Sequence, residues 1–318
     1  MTKLKKILIT GGLGFIGYNL IKNYLKDEFI IYSIDSKISG TKNLLYENEN
    51  LKSYIIDLKD KDKIEEIISD CDILIHLAAK GNVVESVEKP IDNFKANVNT
   101  TLNMLEILKK SKKCKNIIFS STGGALMGNT KVPVNENSSP KPISPYGASK
   151  LACEGYINAY SECYGIKSII FRFGNVYGPN GSHKKGVVNK FIRNSISTQN
   201  HIVYGSTNSS RDYIHVNDIC EAIKLGINHF DSMKFNSEVF HLANFEEITI
   251  SELIKIISKV SRKKTSIDVN KARKGEVFKN LSSYKKANLI LGFKPKYDLK
   301  KGIEELYDWI LKNEFKKV

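Results

Sequence analysis

Short apolar runs alternate with amphipathic stretches over the first two-thirds of the chain. The apolar runs are continuous and rich in β-branched residues, which is typical of parallel strands buried on both faces. This alternation predicts an α/β fold with a Rossmann-like, doubly wound parallel sheet. The predicted strands are residues 5–10, 29–35, 51–57, 71–78, 116–121 and 167–173, and the predicted helices are residues 15–26, 62–68, 98–110 and 145–164.

The regular alternation ends at about Gly174, where a loop rich in Gly, Asn and Pro begins. Beyond this loop, GVVNKFIRNSI indicates a helix and RDYIHVNDICEAIKLGI indicates a strand that continues into a helix. No low-complexity linker separates the two regions, so we expect them to pack directly on each other. The pattern predicts a first domain of residues 1–174 with a returning segment near 212–242, and a smaller C-terminal α/β domain formed mainly by residues 175–211 and 243–318.

The composition is ordinary for a soluble globular protein, with 41% hydrophobic and 26% charged residues. The chain has no run of roughly 18 apolar residues, so no membrane span is expected. The first ten residues contain too short an apolar run for a signal peptide. The five cysteines show no C-x-x-C spacing, which favours free thiols in the cytoplasm and no metal site.

The formal net charge of +15 is spread along the whole chain rather than clustered with aromatic residues. Such a distribution indicates a solvated, lysine-rich surface and not a nucleic-acid-binding protein. A positive field would also favour a phosphorylated small substrate.

A glycine-rich motif follows the first predicted strand, in the sequence ILITGGLGFIG. Gly11, Gly14 and Gly17 allow a tight turn, close approach of the backbone to a diphosphate, and close packing of helix on strand. The helix that begins at Phe15 and Ile16 would direct its free N–H groups at the diphosphate. The motif predicts a dinucleotide cofactor.

Two acidic residues at strand ends refine this prediction. Asp35 ends the second strand, where its carboxylate can accept hydrogen bonds from the adenosine ribose, so NAD is favoured over NADP. The nearby Lys37 keeps NADP open as an alternative. Asp57 and Leu58, at the end of the third strand, are predicted to contact the adenine edge; the alternative is that Asp57 caps the strand end.

Tyr146 and Lys150 are four residues apart in the segment PISPYGASKLACEGY. Ser144 and Pro145 are typical of a helix start and Gly165 of a helix end, so Tyr146 and Lys150 share one helix face. A tyrosine has a pKa of about 10, and a neighbouring ammonium group and a cationic nicotinamide ring both favour its phenolate. We therefore expect Tyr146 to act as a base near neutral pH.

Several segments taken together resemble the extended short-chain dehydrogenase/reductase family, in its branch of NAD-dependent nucleotide-sugar epimerases and dehydratases. The segments are TGGLGFIG, HLAA, SST, the Y-x-x-x-K pair, FRFGNVYGP and RDYIHV. The resemblance extends from about Lys5 to Trp309. It implies a first domain that holds NAD, a C-terminal domain that binds a UDP-sugar, and a homodimer formed through the helices at 98–110 and 145–164.

The resemblance also implies roles for individual residues. Thr122, Tyr146 and Lys150 take the catalytic positions, while His76 has a structural role. The residues that match cofactor-binding positions are Gly11, Gly14, Phe15, Ile16, Gly17, Asp35, Asp57, Leu58, Leu77, Ala78, Ala79, Asn97, Ser120, Tyr146 and Lys150. Asn99 lies beside Asn97 in the same segment.

On the substrate side, the resemblance assigns the diphosphate to Arg211 and Arg273, whose guanidinium groups can form bidentate bonds to phosphate. Lys274 is a second basic candidate, and the arginines alternatively pair with Asp212 and Glu276. Asn280 matches the position that limits the sugar's 2-substituent, where a small amide favours N-acetylated sugars. The substrate-binding residues are Thr122, Gly123, Asn175, Val187, Val188, Arg211, Arg273, Glu276 and Asn280.

The segment after Thr122 discriminates between the two reactions of this branch. The family's 4,6-dehydratases place an Asp-Glu pair there, whereas this chain has Gly123 and Gly124 and no carboxylate before Glu136. Glycine cannot transfer protons, so the sequence predicts a UDP-sugar 4-epimerase acting on glucose/galactose or their N-acetyl forms. Met127 replaces a tyrosine common in the family, which leaves the sugar open. The alternatives are a dehydratase, a decarboxylase, a 4-keto reductase, or a non-enzymatic NAD-sensing regulator.

Overall fold

The computed structural model describes residues 4–25, 28–36, 48–181, 184 and 186–315, so Lys37 lies outside the described residues. The strands are β1 Lys6–Thr10, β2 Ile30–Asp35, β3 Leu51–Ile55, β4 Ile73–His76, β5 Asn116–Thr122, β6 Lys167–Phe173, β7 Asn175–Tyr177, β8 His201–Tyr204, β9 Ser210–Arg211, β10 Tyr213–His215, β11 Ser237–Leu242, β12 Ile248–Thr249 and β13 Ile267–Asn270. The helices are α1 Phe15–Leu20, α2 Lys61–Ile68, α3 Val83–Glu88, α4 Pro90–Phe94, α5 Thr100–Lys110, α6 Gly124–Met127, α7 Pro145–Tyr164, α8 Val187–Ile196, α9 Val216–His229, α10 Ile250–Ser261, α11 Lys285–Leu291 and α12 Leu299–Ile310.

Seven parallel strands form the central sheet in the order β11-β6-β5-β4-β1-β2-β3. This order confirms the predicted Rossmann-like, doubly wound fold. The order reverses between β1 and β4, and ligands of such sheets bind in the crevice outside the carboxyl ends of the strands at that point. The carboxyl ends of β1, β2, β4 and β5 therefore define where a site is expected.

The seventh strand, β11, is not among the strands predicted from the apolar runs. Polar residues interrupt its pattern, because Glu238 and His241 lie in a segment that is nevertheless buried. Glu238 is accommodated by the imidazole of His229 on α9, 2.8 Å away. The buried polar residues of this edge strand hide it from a search for continuous apolar residues.

Apolar side chains fill both faces of the sheet. One core lies between the sheet and α1, α9 and α11, and the other lies between the sheet and α2, α5 and α7. A third apolar cluster joins α8, α10 and α12 outside the central sheet. Burial on both faces explains why the strands of the sheet have continuous apolar sequences.

Helix α7 begins and ends at the residues that the sequence indicated. The Ser144 hydroxyl accepts a hydrogen bond from the Gly147 N–H at 3.2 Å, Pro145 occupies the first helical position, and Gly165 ends the helix in the left-handed conformation at φ 66°. Two other predicted helices differ in detail. Helix α1 gives way to a π-helical turn at Ile21–Leu25, and α5 is preceded by one at Lys95–Asn99.

Within the described ranges, no helix combines the length and the apolar character needed to cross a membrane. In the same part of the chain, no group of three or more His, Cys, Asp and Glu side chains is placed to hold a metal ion. All five cysteines are free thiols, and Cys163 is the exposed one.

Candidate active site

The loop between β1 and α1 and the first turn of α1 each contain a glycine whose Cβ atom would collide with backbone. Gly11 has a φ of +73°, and a Cβ atom there would lie 2.8 Å from the backbone nitrogen of Ala78 on the neighbouring strand end. A Cβ atom on Gly17 would lie 2.4 Å from the Gly11 carbonyl oxygen. Gly14 precedes the helix in an extended conformation without a side-chain cap, so the helix N-terminus keeps backbone N–H groups available to an anion. Phe15 is buried and Ile16 half-buried at the start of α1.

The two predicted adenosine-side acids lie at neighbouring strand ends. Asp35 is the half-buried last residue of β2, and its strand pairs with β3. One Asp57 carboxylate oxygen accepts a hydrogen bond from the Lys59 N–H at 3.0 Å, which is the turn cap considered as the alternative. Leu58 is buried beneath this turn. Both carboxylates thus lie along the same edge of the sheet as the glycine loop.

The segment after β4, which contains Leu77, Ala78 and Ala79, is fixed by Asn97. The Asn97 side chain accepts the Lys80 N–H at 2.8 Å and donates to the Ser149 hydroxyl of α7 at 2.9 Å. Asn97 therefore joins the end of β4 to the helix that carries Tyr146. Asn99, by contrast, is exposed.

His76 lies at the end of β4 between two threonines. Its Nδ1 is 2.6 Å from the Thr10 hydroxyl and its Nε2 is 3.2 Å from the Thr101 hydroxyl. Burial lowers the pKa of His76 to about 3, so the ring is neutral at physiological pH. These contacts agree with the structural role expected for His76.

The three residues at the predicted catalytic positions lie together. Thr122 ends β5, Tyr146 is the second residue of α7, and the Thr122 hydroxyl interacts with the Tyr146 phenol. Lys150, one helical turn after Tyr146, donates from Nζ to the carbonyl oxygen of Ser120 at 2.7 Å. Its ammonium group also lies 4.4 Å from the centre of the Phe119 ring. The end of β5 and the start of α7 thus bring the Thr122 hydroxyl, the Tyr146 phenol and the Lys150 ammonium group into one site.

The surroundings of Tyr146 and Lys150 shift the pKa values of both side chains. Burial raises the pKa of Tyr146 to about 12, and the hydrogen bond from Thr122 opposes this rise only in part. Burial also lowers the pKa of Lys150 to about 8. The Lys150 ammonium is engaged by the Ser120 carbonyl, so a further positive charge beside the phenol is needed to favour the phenolate.

A buried ion pair supports the catalytic strand and helix. Glu154, one turn after Lys150, accepts two hydrogen bonds from Arg172 of β6, the shorter at 2.7 Å. The Ser121 hydroxyl donates to the same carboxylate at 2.5 Å. Both charged side chains are 7% exposed. Arg172 therefore holds α7 on the sheet, and sequence reasoning missed its partner because a glutamate on an amphipathic helix looks like a surface residue.

Gly123 and Gly124 are closely packed against polar side chains from the C-terminal third of the chain. A Cβ atom on Gly123 would lie 3.3 Å from the Ser282 hydroxyl and 3.4 Å from His241 Nδ1. A Cβ atom on Gly124 would lie 2.7 Å from the amide nitrogen of Asn280. Among the described residues, these three polar groups have no hydrogen-bond partner, although all three residues are buried. They are polar groups for which a ligand or water is the natural partner.

The residues assigned to the diphosphate and ribose also lie close together. Arg273 Nη1 lies 3.7 Å from Glu276 Oε1, and its guanidinium group stacks 3.5 Å from the ring centre of Tyr204. Arg211 donates to the carbonyl oxygens of Ser210 and Phe278, at 2.7 and 3.2 Å. The Arg273–Glu276 pairing is one of the alternatives considered from the sequence. Tyr204, which supports Arg273, was not anticipated.

The remaining substrate-side residues lie on β7 and α8. Asn175 is the half-buried first residue of β7, and its N–H donates to the carbonyl of Asp212 at 2.8 Å. Val187 begins α8 and is half-buried, whereas Val188 is buried in the apolar cluster with Phe191. The prediction that the two valines bound the nucleotide base stays a prediction.

Comparison with known proteins agrees with this arrangement over nearly the whole chain. The family model for GDP-mannose 4,6 dehydratase matches residues 8–306. A curated relative from Methanocaldococcus jannaschii, described as a putative UDP-glucose 4-epimerase, is 36% identical over 313 residues. That match covers 96% of this chain and 99% of the relative.

Solved structures share the fold over a similar extent. The UDP-glucose 4-epimerase of Thermotoga maritima with UDP-glucose has a TM-score of 0.88 at 32% identity, covering 96% of this chain and 99% of that one. The Thermus thermophilus UDP-glucose 4-epimerase with NAD has a TM-score of 0.86 at 28% identity, covering 96% of this chain and 98% of that one. The UDP-N-acetylglucosamine 4-epimerase of Methanobrevibacter ruminantium, in complex with UDP-N-acetylmuramic acid, has a TM-score of 0.87 at 31% identity, covering 98% of this chain and 99% of that one.

These matches extend well beyond the glycine loop, which by itself would indicate only a dinucleotide-binding fold. They include the β5–α7 region with the Thr, Tyr and Lys side chains and the C-terminal part with the arginines. The chain belongs to the extended short-chain dehydrogenase/reductase family, in its branch of nucleotide-sugar epimerases and dehydratases.

Proposed function

We propose that this protein is an NAD-dependent UDP-sugar 4-epimerase that works through a transient 4-keto sugar. One observation carries the proposal: the Thr122 hydroxyl and the Tyr146 phenol interact at the end of β5, and the two positions after Thr122 are glycines packed against other side chains. That site has one acid/base, which is what a 4-epimerase needs. Relatives and structural neighbours described as nucleotide-sugar 4-epimerases support the same reaction class.

The residues around the glycine loop fit NAD. Gly11 and Gly17 leave no room for a side chain, and the start of α1 has backbone N–H groups without a side-chain cap. Asp35 and Asp57 lie at the strand ends where the adenosine half would lie, and Asp35 would repel a 2′-phosphate. When bound, NAD supplies the redox chemistry at C4 of the sugar and a positive ring charge. We propose that residues 1–174, with the segment near 212–242, form this half of the site.

Within this proposal, each residue of the β5–α7 site has one task. Tyr146 removes the proton of the sugar 4-hydroxyl and returns it to the other epimer after the keto sugar has turned over. Thr122 hydrogen-bonds the reacting oxygen and the phenol, which fixes the distance between them. Lys150, held by the Ser120 carbonyl, keeps a positive charge one turn from the phenol. Burial of Lys150 strengthens its charge interactions.

The geometry gives a reason for preferring epimerisation to 4,6-dehydration. A dehydratase needs further acid/base groups beside the sugar, but Gly124 faces the Asn280 amide at a distance that a side chain would violate. Glu154 is a carboxylate near Thr122, and Arg172 and Ser121 occupy both of its oxygens. These arguments against a 4,6-dehydratase are weaker against a decarboxylase or a 4-keto reductase. A non-enzymatic NAD-sensing regulator would have no need for the Thr122–Tyr146 pair.

The reaction can be tested with purified protein, a panel of UDP-, dTDP- and GDP-sugars and no added NAD, with products followed by NMR. The expected product is a C4 epimer of a UDP-sugar. A 4-keto-6-deoxy sugar or release of CO₂ would replace the proposal with one of its alternatives.

We further propose a homodimer formed through α5 and α7, where Tyr156 and Tyr164 are exposed on α7.

Asn280 is expected to decide which sugars are accepted. Its amide nitrogen has no hydrogen-bond partner among the described residues, lies against Gly124, and can donate to the carbonyl of a 2-acetamido group. Replacing Asn280 with tyrosine should close this space and lower kcat/KM for UDP-N-acetylglucosamine by about 100-fold, because overpacking and a lost hydrogen bond act together. The value for UDP-glucose should change far less.

Asn280→Leu separates the two causes, since leucine has a similar size but no donor. We expect this variant to lower kcat/KM for the N-acetylated sugar by about tenfold, the equivalent of one hydrogen bond. Coupled assays with both sugars measure the ratio directly. Equal losses for both sugars in the tyrosine variant would show that Asn280 does not contact the 2-substituent.

A further inference from the structure

Asp212 is a buried carboxylate that binds the backbone of two distant segments. It lies between β9 and β10 and is 0% exposed. Its Oδ1 accepts the N–H of Asn244 at 2.9 Å, and its Oδ2 accepts the N–H groups of Phe245 at 3.1 Å and Ser282 at 3.3 Å. Among the described residues, no arginine forms an ion pair with Asp212, so the Asp212–arginine pairing considered from the sequence is not present there.

The segments that Asp212 joins include two that carry residues assigned to the substrate. Arg211 is its neighbour in sequence, and Ser282 lies two residues beyond Asn280. The backbone carbonyl of Asp212 accepts the N–H of Asn175, and the Asn280 N–H donates to the Ser210 carbonyl at 3.2 Å. The Asp212 side chain therefore connects the segment of the diphosphate arginine with that of the sugar-side amide, and its backbone holds the start of β7.

We propose that Asp212 is a positioning residue for nucleotide-sugar binding: it holds the segments that carry Arg211, Asn175 and Asn280 in the arrangement that fits the ligand. This inference rests on the proposed UDP-sugar function. Hydrogen bonds from backbone N–H groups to a carboxylate are charge-assisted and stronger than those to a neutral acceptor. A buried carboxylate without them would be unfavourable, so the three donors and Asp212 depend on one another.

The catalytic residues are held by different contacts. Thr122, Tyr146 and Lys150 lie on β5 and α7, and Glu154 of α7 bonds to Ser121 of β5 and to Arg172 of β6 without Asp212. Loss of Asp212 should therefore weaken binding of the nucleotide sugar more than the chemical step. When groups are no longer preorganised, the ligand must order them on binding. That cost reduces the net binding free energy and raises Kd and KM.

The test compares Asp212→Ala and Asp212→Asn with Asp218→Ala. Asp218 is a matched control on α9: it is buried and accepts the N–H groups of Lys296 at 2.9 Å and Tyr297 at 3.3 Å, in a segment with no residue assigned to the substrate. For Asp212→Ala we expect the Kd of UDP and the KM of the UDP-sugar to rise by about tenfold or more. Asp212→Asn should show a smaller rise, because its amide keeps one acceptor oxygen. Asp218→Ala should leave both constants unchanged, although it should lower stability.

Calorimetry with UDP, steady-state kinetics and the content of bound NAD distinguish the outcomes. Unchanged UDP affinity in Asp212→Ala would overturn the proposal, as would a fall in kcat with KM unchanged. If Asp212→Ala does not fold, the same criteria apply to Asp212→Asn. Hydrogen exchange at the amides of Asn244, Phe245 and Ser282 should accelerate in the Asp212 variants and not in Asp218→Ala. If the wild-type protein binds no UDP, the proposed function fails, and the exchange result still decides whether Asp212 orders these segments.

Discussion

Replacing Tyr146 with phenylalanine is expected to lower turnover by about 10³-fold, within the range that a general acid–base group contributes. The change removes one oxygen atom and keeps the half-buried ring in the first turn of α7. That oxygen is the proposed base, so its loss leaves the sugar hydroxyl without one. The NAD content should stay at the wild-type value, because the glycine loop is untouched.

Tyr160→Phe is the matched control for this experiment. Tyr160 lies on the same helix, and its phenol donates to Glu106 of α5, far along the helix from Thr122. Removing its hydroxyl should change turnover by less than about twofold, since this position is outside the site. Turnover is measured with the UDP-sugar that the panel identifies, and bound NAD by its absorbance after release. A Tyr146→Phe protein within tenfold of the wild type would refute Tyr146 as the acid/base.

The parts of the site that sequence could predict are those fixed by local geometry. A left-handed φ and close backbone contacts require glycine at Gly11 and Gly17, so the motif implies the loop. The four-residue spacing of Tyr146 and Lys150 implies a shared helix face, and Ser144 and Gly165 mark the ends of that helix. Each of these inferences needs only a few consecutive residues.

The parts that sequence could not predict depend on pairs that the fold brings together. Arg172 and Glu154 are 18 residues apart, and Asp212 and Ser282 are 70 apart. Periodicity places Glu154 on a helix but does not reveal that this carboxylate is buried beside a cation. The four-residue spacing also does not reveal that burial raises the pKa of the Tyr146 phenol. Spacing predicts proximity, whereas the solvation that sets a pKa belongs to the folded protein.

Removing the carboxylate of Glu154 is expected to produce the largest loss of stability among single substitutions near the site. Glu154→Ala would leave the buried guanidinium group of Arg172 without its ion-pair partner and the Ser121 hydroxyl without its acceptor. Breaking a buried ion pair by removing one member costs about 3–5 kcal/mol of unfolding free energy. Urea unfolding followed by circular dichroism measures this loss. Glu162→Ala, an exposed change on the same helix, should stay within about 0.5 kcal/mol of the wild type.

The double variant Glu154→Leu/Arg172→Leu tests whether the penalty comes from the unpaired charge. Apolar residues of similar volume can replace a buried ion pair at little cost, so the double variant should recover most of the stability lost in Glu154→Ala. Activity should not recover in parallel, because the Glu154–Arg172 pair also aligns the end of β5 with α7. Ser121, which bonds to Glu154, adjoins Thr122, and Glu154 lies one turn from Lys150. A double variant as unstable as Glu154→Ala would show that the ion pair is needed for packing of α7 on the sheet. A stable and fully active double variant would show that the pair has no part in aligning the catalytic residues.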